Sequence, residues 1–506
     1  MPGGVTILEE PQLEFRFGQR LVDPHAGLGL FGPFDADLPS GPKGVAYGLV
    51  GTPEGIAGFE LFSKVLTNPI VSCSYGEPGN EDKEHRLWPP FPGFEAAFVS
   101  TWQGQAAWAR ILNRDRLLEA ATLNDRHRRV YDVVNQYLDA LRLAANVDEH
   151  LDVMFCIVPD EVWLTCRPLS SVPTGHGERV SARDRALRVF QPDLFGTYDP
   201  VQYRLSPDFR RQIKARAMEL RVPMQIIRES TLDLRGSAAG GKRGLTPLSD
   251  RAWNLSTAIY YKAGGKPWRL VTAREGVCYV GIAFRRADDR VNKATACCAA
   301  QMFLDTGDGV VFRGEFGPWY SPEHGEYHLS RTAARDLLSG VLENYGTLGG
   351  KGLREIFLHC RSNIDDEEFS GYREACPAGT KLVGVRVRPG GDGVRLYRRG
   401  RWPVIRGSTW ILNRRTAYLW ASGFKPSVLT YDGWEVPAPL RIDVQHGQAD
   451  IEQVVKDIFG LTKLNYNACR LGESSPVTVK FSDAVGEILV SNPTVTTRLP
   501  NFKYYI

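Results

Sequence analysis

From Gly276 onward the sequence is a succession of short apolar runs cut by glycine turns, and this pattern restricts the fold more than any other feature of the chain. GVCYVGIAF, CCAAQMFLD, GDGVVFRGE, REIFLHC, KLVGVRVR, GVRLYRR and TAYLWASG each read as a strand. Gly307-Asp308-Gly309 and Gly390-Gly391-Asp392-Gly393 mark turns between them. Ser330 to Tyr345 and Ala449 to Phe459 carry helical periodicity within the same region. Strands in series, interrupted and followed by helices, call for a mixed α/β sheet with helices laid over its faces. No repeat of solenoid period interrupts this reading.

The first half has a different texture. GLGLFGPF (Gly27 to Phe34) and GVAYGLVG (Gly44 to Gly51), followed by a helical stretch from Pro53 to Leu66, read as strand, glycine turn and helix, the opening of a βαβ unit. A mononucleotide site is a weak reading there, because neither GxGxxG nor GxxxxGK[ST] is present. Asn124 to Ala145 is the longest helical pattern, with Val130, Val133, Val134, Leu138, Leu141 and Leu143 supplying much of its apolar face, and LDVMFCIVP (Leu151 to Pro159) is a buried strand. Pro168 to Asp184 reads as an exposed loop. Arg235 to Gly244 is a glycine-rich basic loop, either a phosphate grip or a solvated connector.

The chemistry concentrates in SPDFRRQIKARAMELRVPMQ (Ser206 to Gln225). Ser206 as N-cap and Pro207 at the first helical position start a helix that Pro223 stops. Arg210 and Lys214 stand four residues apart, so both cations leave one face of that helix. Gln225 then opens a strand. A second helix, capped at Ser249-Asp250 and stopped by Gly264-Gly265, carries Lys262 in its last turn. Arg210, Lys214, Gln225 and Lys262 together would make an anion pocket, while spacing alone also allows a solvated basic face.

Composition sets the outer bounds. A chain of 506 residues with 43% hydrophobic and 24% charged residues has ample core for more than one domain. The net charge of +4 is small, so a nucleic-acid partner has to be held by local clusters rather than a global field. Nine cysteines without a CxxC pair, mostly inside apolar runs, read as reduced core residues and not as structural zinc ligands. The N-terminus lacks the pattern of a signal peptide and no segment is apolar for the length of a membrane span, so a soluble cytoplasmic protein is expected.

Several long stretches carry a family resemblance: EEPQLEFRFGQRLVDP, FPGFEAAF, AIYYKAGGKPW, CCAAQMFLDTGDGVVFRGEFGPWY, LTKLNYNA, KFSDAVGEIL and the ending FKYYI. Over almost its whole length the sequence resembles a short prokaryotic Argonaute of the branch that works with a TIR-APAZ partner. The resemblance implies an α/β fold: a MID domain with a Rossmann-like doubly wound sheet over residues 1–265, including an N-terminal extension, then an RNase H-like PIWI domain over 266–506. It also implies that Arg210, Lys214, Gln225 and Lys262 hold the 5′-phosphate of a guide strand. A divalent cation, Mg²⁺, would bridge the guide phosphates, Gln225 and the C-terminal carboxylate, which would be that of Ile506. Arg210 stands where relatives often have Tyr or His.

The same resemblance bears on cleavage. PIWI domains that cut use carboxylates to hold two metal ions. The matching positions here are Ala283, Arg361 and Asp483, of which only Asp483 is acidic, with Glu315 an uncertain fourth. No catalytic residue is therefore expected in this chain. The acidic run Asp365-Asp366-Glu367-Glu368 reads as a solvated helix cap, not as a replacement metal site. What the resemblance implies is a sensor: a guide RNA pairs with a single-stranded DNA target, and the complex activates NAD⁺ breakdown by a TIR-APAZ effector bound as a heterodimer, which assembles into a higher oligomer. The alternatives are an active guided endonuclease, a sirtuin-like or nuclease APAZ effector, and a guide-independent α/β binding protein.

Overall fold

The computed structural model describes residues 4–71, 87–181, 183–185, 199–234, 245–286, 296–303, 309–321, 325–347, 352–433, 435–492, 499 and 501–506. Two large sheets organise them. Four parallel strands of the first lie in the order Trp108–Ile111, Tyr47–Gly51, Val153–Val158, Met224–Arg228. Tyr47–Gly51 and Val153–Val158 are buried at every position, as a parallel sheet covered on both faces requires. Tyr47, Leu49, Phe155 and Ile157 pack to one side, while Val50, Met154, Cys156 and Val158 pack to the other with the helix Arg126–Ala144. The helix Pro53–Leu66 begins where the sequence placed it, with Thr52 accepting from the Gly55 N–H and Pro53 in the first turn.

The second sheet has nine strands in the order Thr6–Ile7, Ser408–Asn413, Thr416–Leu419, Leu440–His446, Lys381–Pro389, Glu355–Cys360, Val277–Arg286, Ala296–Phe303, Gly309–Gly317. Val277–Arg286, Glu355–Cys360 and Lys381–Pro389 run parallel at its centre, and antiparallel strands flank them. Alternation decides the faces: Val277 and Tyr279 join the core shared with the first sheet, and Cys278, Val280 and Ile282 join the core under the helix Arg331–Thr347. The division at 265/266 separates the two large sheets but is crossed by Thr6–Ile7, which pairs with Ser408–Thr409. Beside that strand the Glu10 carboxylate accepts from Arg406 Nε at 3.0 Å and Lys463 Nζ at 3.0 Å, with both cations buried. No helix among the described residues is long and apolar enough to cross a membrane.

Several local expectations change. GLGLFGPF belongs largely to the helix Pro24–Phe31, capped by Asp23 rather than by a turn, and a Cβ on Gly27 would lie 2.1 Å from the Phe15 ring. GVRLYRR forms no strand: Val394 and Leu396 pack on Val404, Tyr418 and Trp420, while Tyr397 is 73% exposed, so its alternation serves side-chain packing without a free sheet edge. Ser408–Asn413 and Leu440–His446, not singled out from the sequence, fill the corresponding places. The helix expected from Ser206-Pro207 begins at Phe209, because Asp208 rather than Ser206 caps it, accepting from the Arg211 N–H. It ends at Arg216 and continues as a tighter 3₁₀ turn, Ala217–Leu220. The other helix spans Leu248–Lys262, with Ser249 and Asp250 inside its first turn instead of capping it. Arg235 to Gly244 lies outside the described residues.

The helix Val477–Leu489 sits directly on the central strand because Gly281 has no side chain: a Cβ there would be 2.0 Å from the Thr478 carbonyl oxygen. Gly281→Ala should therefore destabilise the protein by about 1–3 kcal/mol. Gly58→Ala on the helix Pro53–Leu66, where the nearest atom to a new Cβ is 3.8 Å away, should be neutral or gain up to about 1 kcal/mol. Urea midpoints of the two variants check this, and equal shifts would show that the helix is free to move off the sheet.

Candidate nucleic-acid anion pocket

Three separate parts of the chain meet at the proposed pocket. The helix Phe209–Arg216 delivers Arg210 and Lys214, the helix Leu248–Lys262 delivers Lys262, and the segment around Phe502–Tyr504 brings in Ile506. Lys214 and Lys262 both donate to the main-chain oxygen of Ile506, Lys262 at 2.9 Å. Their exposures are 4% and 0%. A solvated basic face is thus not what the fold builds from these two residues, since lysines are almost never this deeply buried unless paired.

Burial pushes the Lys214 amine well below its ordinary value, and the neighbouring Lys262 and Arg210 charges push it further. Lys262 is brought down to about 7 by burial, then by Arg210 and Lys503. Arg210 is itself partly buried, which lowers its guanidinium from the ordinary value. Gln225 lies on the strand Met224–Arg228 opposite Phe155. Its amide nitrogen donates to Ile226 O at 3.2 Å, and its Oε1 is buried with no hydrogen-bond partner. An orphaned amide oxygen and the Ile506 oxygen are hard donors of the kind that suit Mg²⁺ or Ca²⁺. Lys503 was not singled out from the sequence. Its position within the ending FKYYI, three residues from Ile506, was the available signal.

The positions matching a nuclease centre come together differently. Ala283 is buried on the central strand and offers no ligand atom. Asp483, on the helix Val477–Leu489, receives Arg361 Nη1 at 2.7 Å and Arg285 Nη2 at 3.4 Å. Two guanidinium groups thus engage the one carboxylate among these positions. His359, two residues before Arg361, is buried, with Nδ1 2.9 Å from Thr478 Oγ1, and burial lowers its pKa to about 3, so it stays neutral. Glu315 lies on the strand Gly309–Gly317, and its side chain falls outside the described residues. Glu487, one turn beyond Asp483, bonds Arg211 at 3.1 Å and so ties the helix Phe209–Arg216 to the helix Val477–Leu489.

The lysine pair gives the pocket a pH signature. Lys262 falls from an ordinary value of 10.5 to about 7, so the empty pocket sheds a proton as pH rises through 7. A bound anion favours the charged amine and draws that proton back. Titrating sulfate at pH 7.5 in buffers of different ionisation enthalpy should show net proton uptake and weaker binding as pH rises, both lost in Lys262→Met. Uptake of no proton would mean that the amine is already charged without the anion.

No family model and no curated protein matches the sequence, but solved structures match the fold. A structure of Clostridium butyricum Argonaute bound to a guide DNA and a 19-mer target DNA superposes with a TM-score of 0.63 at 14% identity, covering 97% of this chain and 53% of that one. Drosophila Piwi matches with a TM-score of 0.59 at 12% identity, over 99% of this chain and 56% of that one. A. aeolicus Argonaute matches with a TM-score of 0.53 at 12% identity, over 99% and 55%. The chain thus spans about half the length of each of these three structures, and its fold is the MID–PIWI fold of Argonaute proteins.

Proposed function

We propose that this chain is the guide-binding sensor subunit of a short Argonaute defence complex, which anchors a guide RNA by its 5′-phosphate and recognises single-stranded DNA through pairing. The observation that carries the reading is the convergence of two buried lysines from two helices on Ile506. Buried cations of this kind are costly unless anions compensate them, and a terminal phosphate supplies both the charge and several acceptor oxygens. Arg210 would add a guanidinium at the rim. Gln225 Oε1 and the Ile506 oxygen would hold Mg²⁺, whose chemistry there is to neutralise phosphate charge beside a carboxylate.

Binding without cutting is the second part of the proposal. The contacts of Arg361 and Arg285 to Asp483 favour it, because guanidinium groups repel the divalent ions that a two-metal mechanism needs. The effector chemistry then falls to a partner, for which a TIR-APAZ protein in a heterodimer is the proposed identity. Target pairing would shift that heterodimer toward a higher oligomer in which the effector becomes active, through differential affinity for the two states. The matched Clostridium butyricum structure, which holds guide and target together, supports the guided part of this reading by analogy of fold.

Short RNAs bearing 5′-phosphate should bind the chain, co-expressed with a TIR-APAZ partner, at least tenfold more tightly than the same RNAs bearing 5′-hydroxyl. Lys214→Ala and Lys262→Ala should each erase that preference, a loss of about 1.5–3 kcal/mol per charged hydrogen bond. Equal binding of both ends by the wild type would remove the pocket from the proposal. A labelled DNA target incubated with the guided complex in Mg²⁺ or Mn²⁺ should stay intact while NAD⁺ is consumed. Cleaved target would make the endonuclease reading the correct one.

A further inference from the structure

The acidic run that reads as a solvated cap is divided by the fold. Asp366 has a fully exposed side chain and Asp365 caps the helix Asp366–Ala375, but Glu368 turns inward and is 1% exposed. It faces His328, which lies between the strand Glu326–Tyr327 and the helix Arg331–Thr347. His328 Nδ1 is 3.3 Å from Asp365 Oδ2 and 3.8 Å from Glu368 Oε2, and one donor atom from each of the three residues lies within 4.8 Å of the others. An ion bound tetrahedrally at 2.0–2.2 Å spaces its ligands by about 3.4 Å.

The atoms turned away from that centre are all engaged. Glu326 Oε2 bonds His328 Nε2 at 3.1 Å, Tyr372 Oη donates to Glu368 Oε1 at 3.0 Å, and the Glu368 N–H donates to Asp365 Oδ1 at 2.7 Å. A carboxylate on the far nitrogen of an imidazole is the outer contact that orients a metal-binding histidine. Conversely, His328 Nδ1 and Glu368 Oε2, the two atoms that face inward, are buried and make no hydrogen bond, meeting only as an ion pair at 3.8 Å. A carboxylate oxygen at 1% exposure with a distant ion pair and no hydrogen bond is incompletely compensated for its burial.

We propose that His328 Nδ1, Asp365 Oδ2 and Glu368 Oε2 form a binding site for a divalent transition ion of the zinc type, with a fourth, water-filled position on the half-exposed Asp365 side. One imidazole nitrogen with two carboxylate oxygens suits Zn²⁺ or Mn²⁺ better than Ca²⁺, which takes six to eight oxygens. The ion would join the start of the helix Asp366–Ala375 to the start of the helix Arg331–Thr347. It would also brace residues 361–364, the loop that carries Arg361. That loop is already held by Ile364, whose N–H donates to Gln445 Oε1 at 3.1 Å and whose carbonyl oxygen lies 2.7 Å from His446 Nε2. The Glu368 carboxylate holds the His328 imidazole up to about 9, so the ion competes with a proton on Nδ1 and releases it on binding.

The test uses the full chain, stripped with a chelator and then titrated with zinc sulfate. Elemental analysis after dialysis should return about one zinc per wild-type chain, and the Tm should rise with the logarithm of free zinc. Co²⁺ in place of zinc should give the visible absorption of a four-coordinate centre. His328→Gln and Asp365→Asn should both reduce bound metal to background, and because Asn remains a good helix cap the second variant tests the site without removing the cap. Glu326→Gln, which alters only the orienting contact, should weaken zinc about 10–100-fold. Less than about a tenth of an equivalent in the wild type, or equal uptake in His328→Gln and Asp365→Asn, would overturn the site and leave a protonated His328 among carboxylates.

Discussion

The rest of the structure is arranged around one contact, the Lys214 and Lys262 amines on the Ile506 oxygen. Neither lysine can be buried at this depth without an anion or strong dipole beside it, because desolvating an ammonium costs several kcal/mol even after relaxation. The contact therefore fixes three chain segments at once. The helix Phe209–Arg216 buries Phe209 and Ile213 against the first sheet's second face, the helix Leu248–Lys262 buries Trp253, Ile259 and Tyr260 in the core shared by both sheets, and residues 502–506 join from far along the chain. Phe502, Tyr505 and Ile506 are buried in the core shared by both sheets, so the apolar side chains hold the segment while its oxygen is presented to the amines.

A second set of ionic contacts connects this pocket to the nuclease-like side. Arg211 leaves the helix Phe209–Arg216 and meets Glu487, which also lies 3.5 Å from Arg285, and Arg285 reaches Asp483. Asp483 is closed from the other direction by Arg361. Each of these charges is only partly buried, so no single pair is worth more than a fraction of a kcal/mol to about 1 kcal/mol. Their value is geometric. They place the helix Val477–Leu489, seated on Gly281, between the anion pocket and the central strands. These contacts run continuously from the helix Phe209–Arg216 to the loop around Arg361.

That loop is also where an inference from composition fails most clearly. Asp365-Asp366-Glu367-Glu368 is one acidic word in the sequence, and the expected solvated cap holds for Asp365 and Asp366. Helical periodicity turns Glu368 three residues on from the cap toward the core, where it meets a histidine 40 positions earlier in the chain. The pairing has no local signature, because its partners come from the starts of two different helices.

Much of the architecture was legible without coordinates. Apolar runs bounded by turns marked the central strands Val277–Arg286, Glu355–Cys360 and Lys381–Pro389, because a strand covered on both faces carries apolar residues at nearly every position. The helical stretch from Pro53 to Leu66 formed with the expected bounds, and the structure added its cap, the Thr52 hydroxyl accepting from the Gly55 N–H. The four-residue spacing of Arg210 and Lys214 marked a shared helix face, although the cap moved to Asp208, whose carboxylate reaches the exposed N–H groups. These signals are local, carried by the backbone's own periodicity and by side chains within one turn. Long-range meetings are different in kind. That Lys214 and Lys262 lose their solvent, that two arginines occupy Asp483, and that His328 finds Glu368 depend on segments up to nearly 300 residues apart, brought together by the burial of apolar faces that many sequences share. The sequence by itself determined which elements form and what charge they carry; only the tertiary structure decided which charges were desolvated together, because desolvation depends on every neighbour in space and on none in particular along the chain.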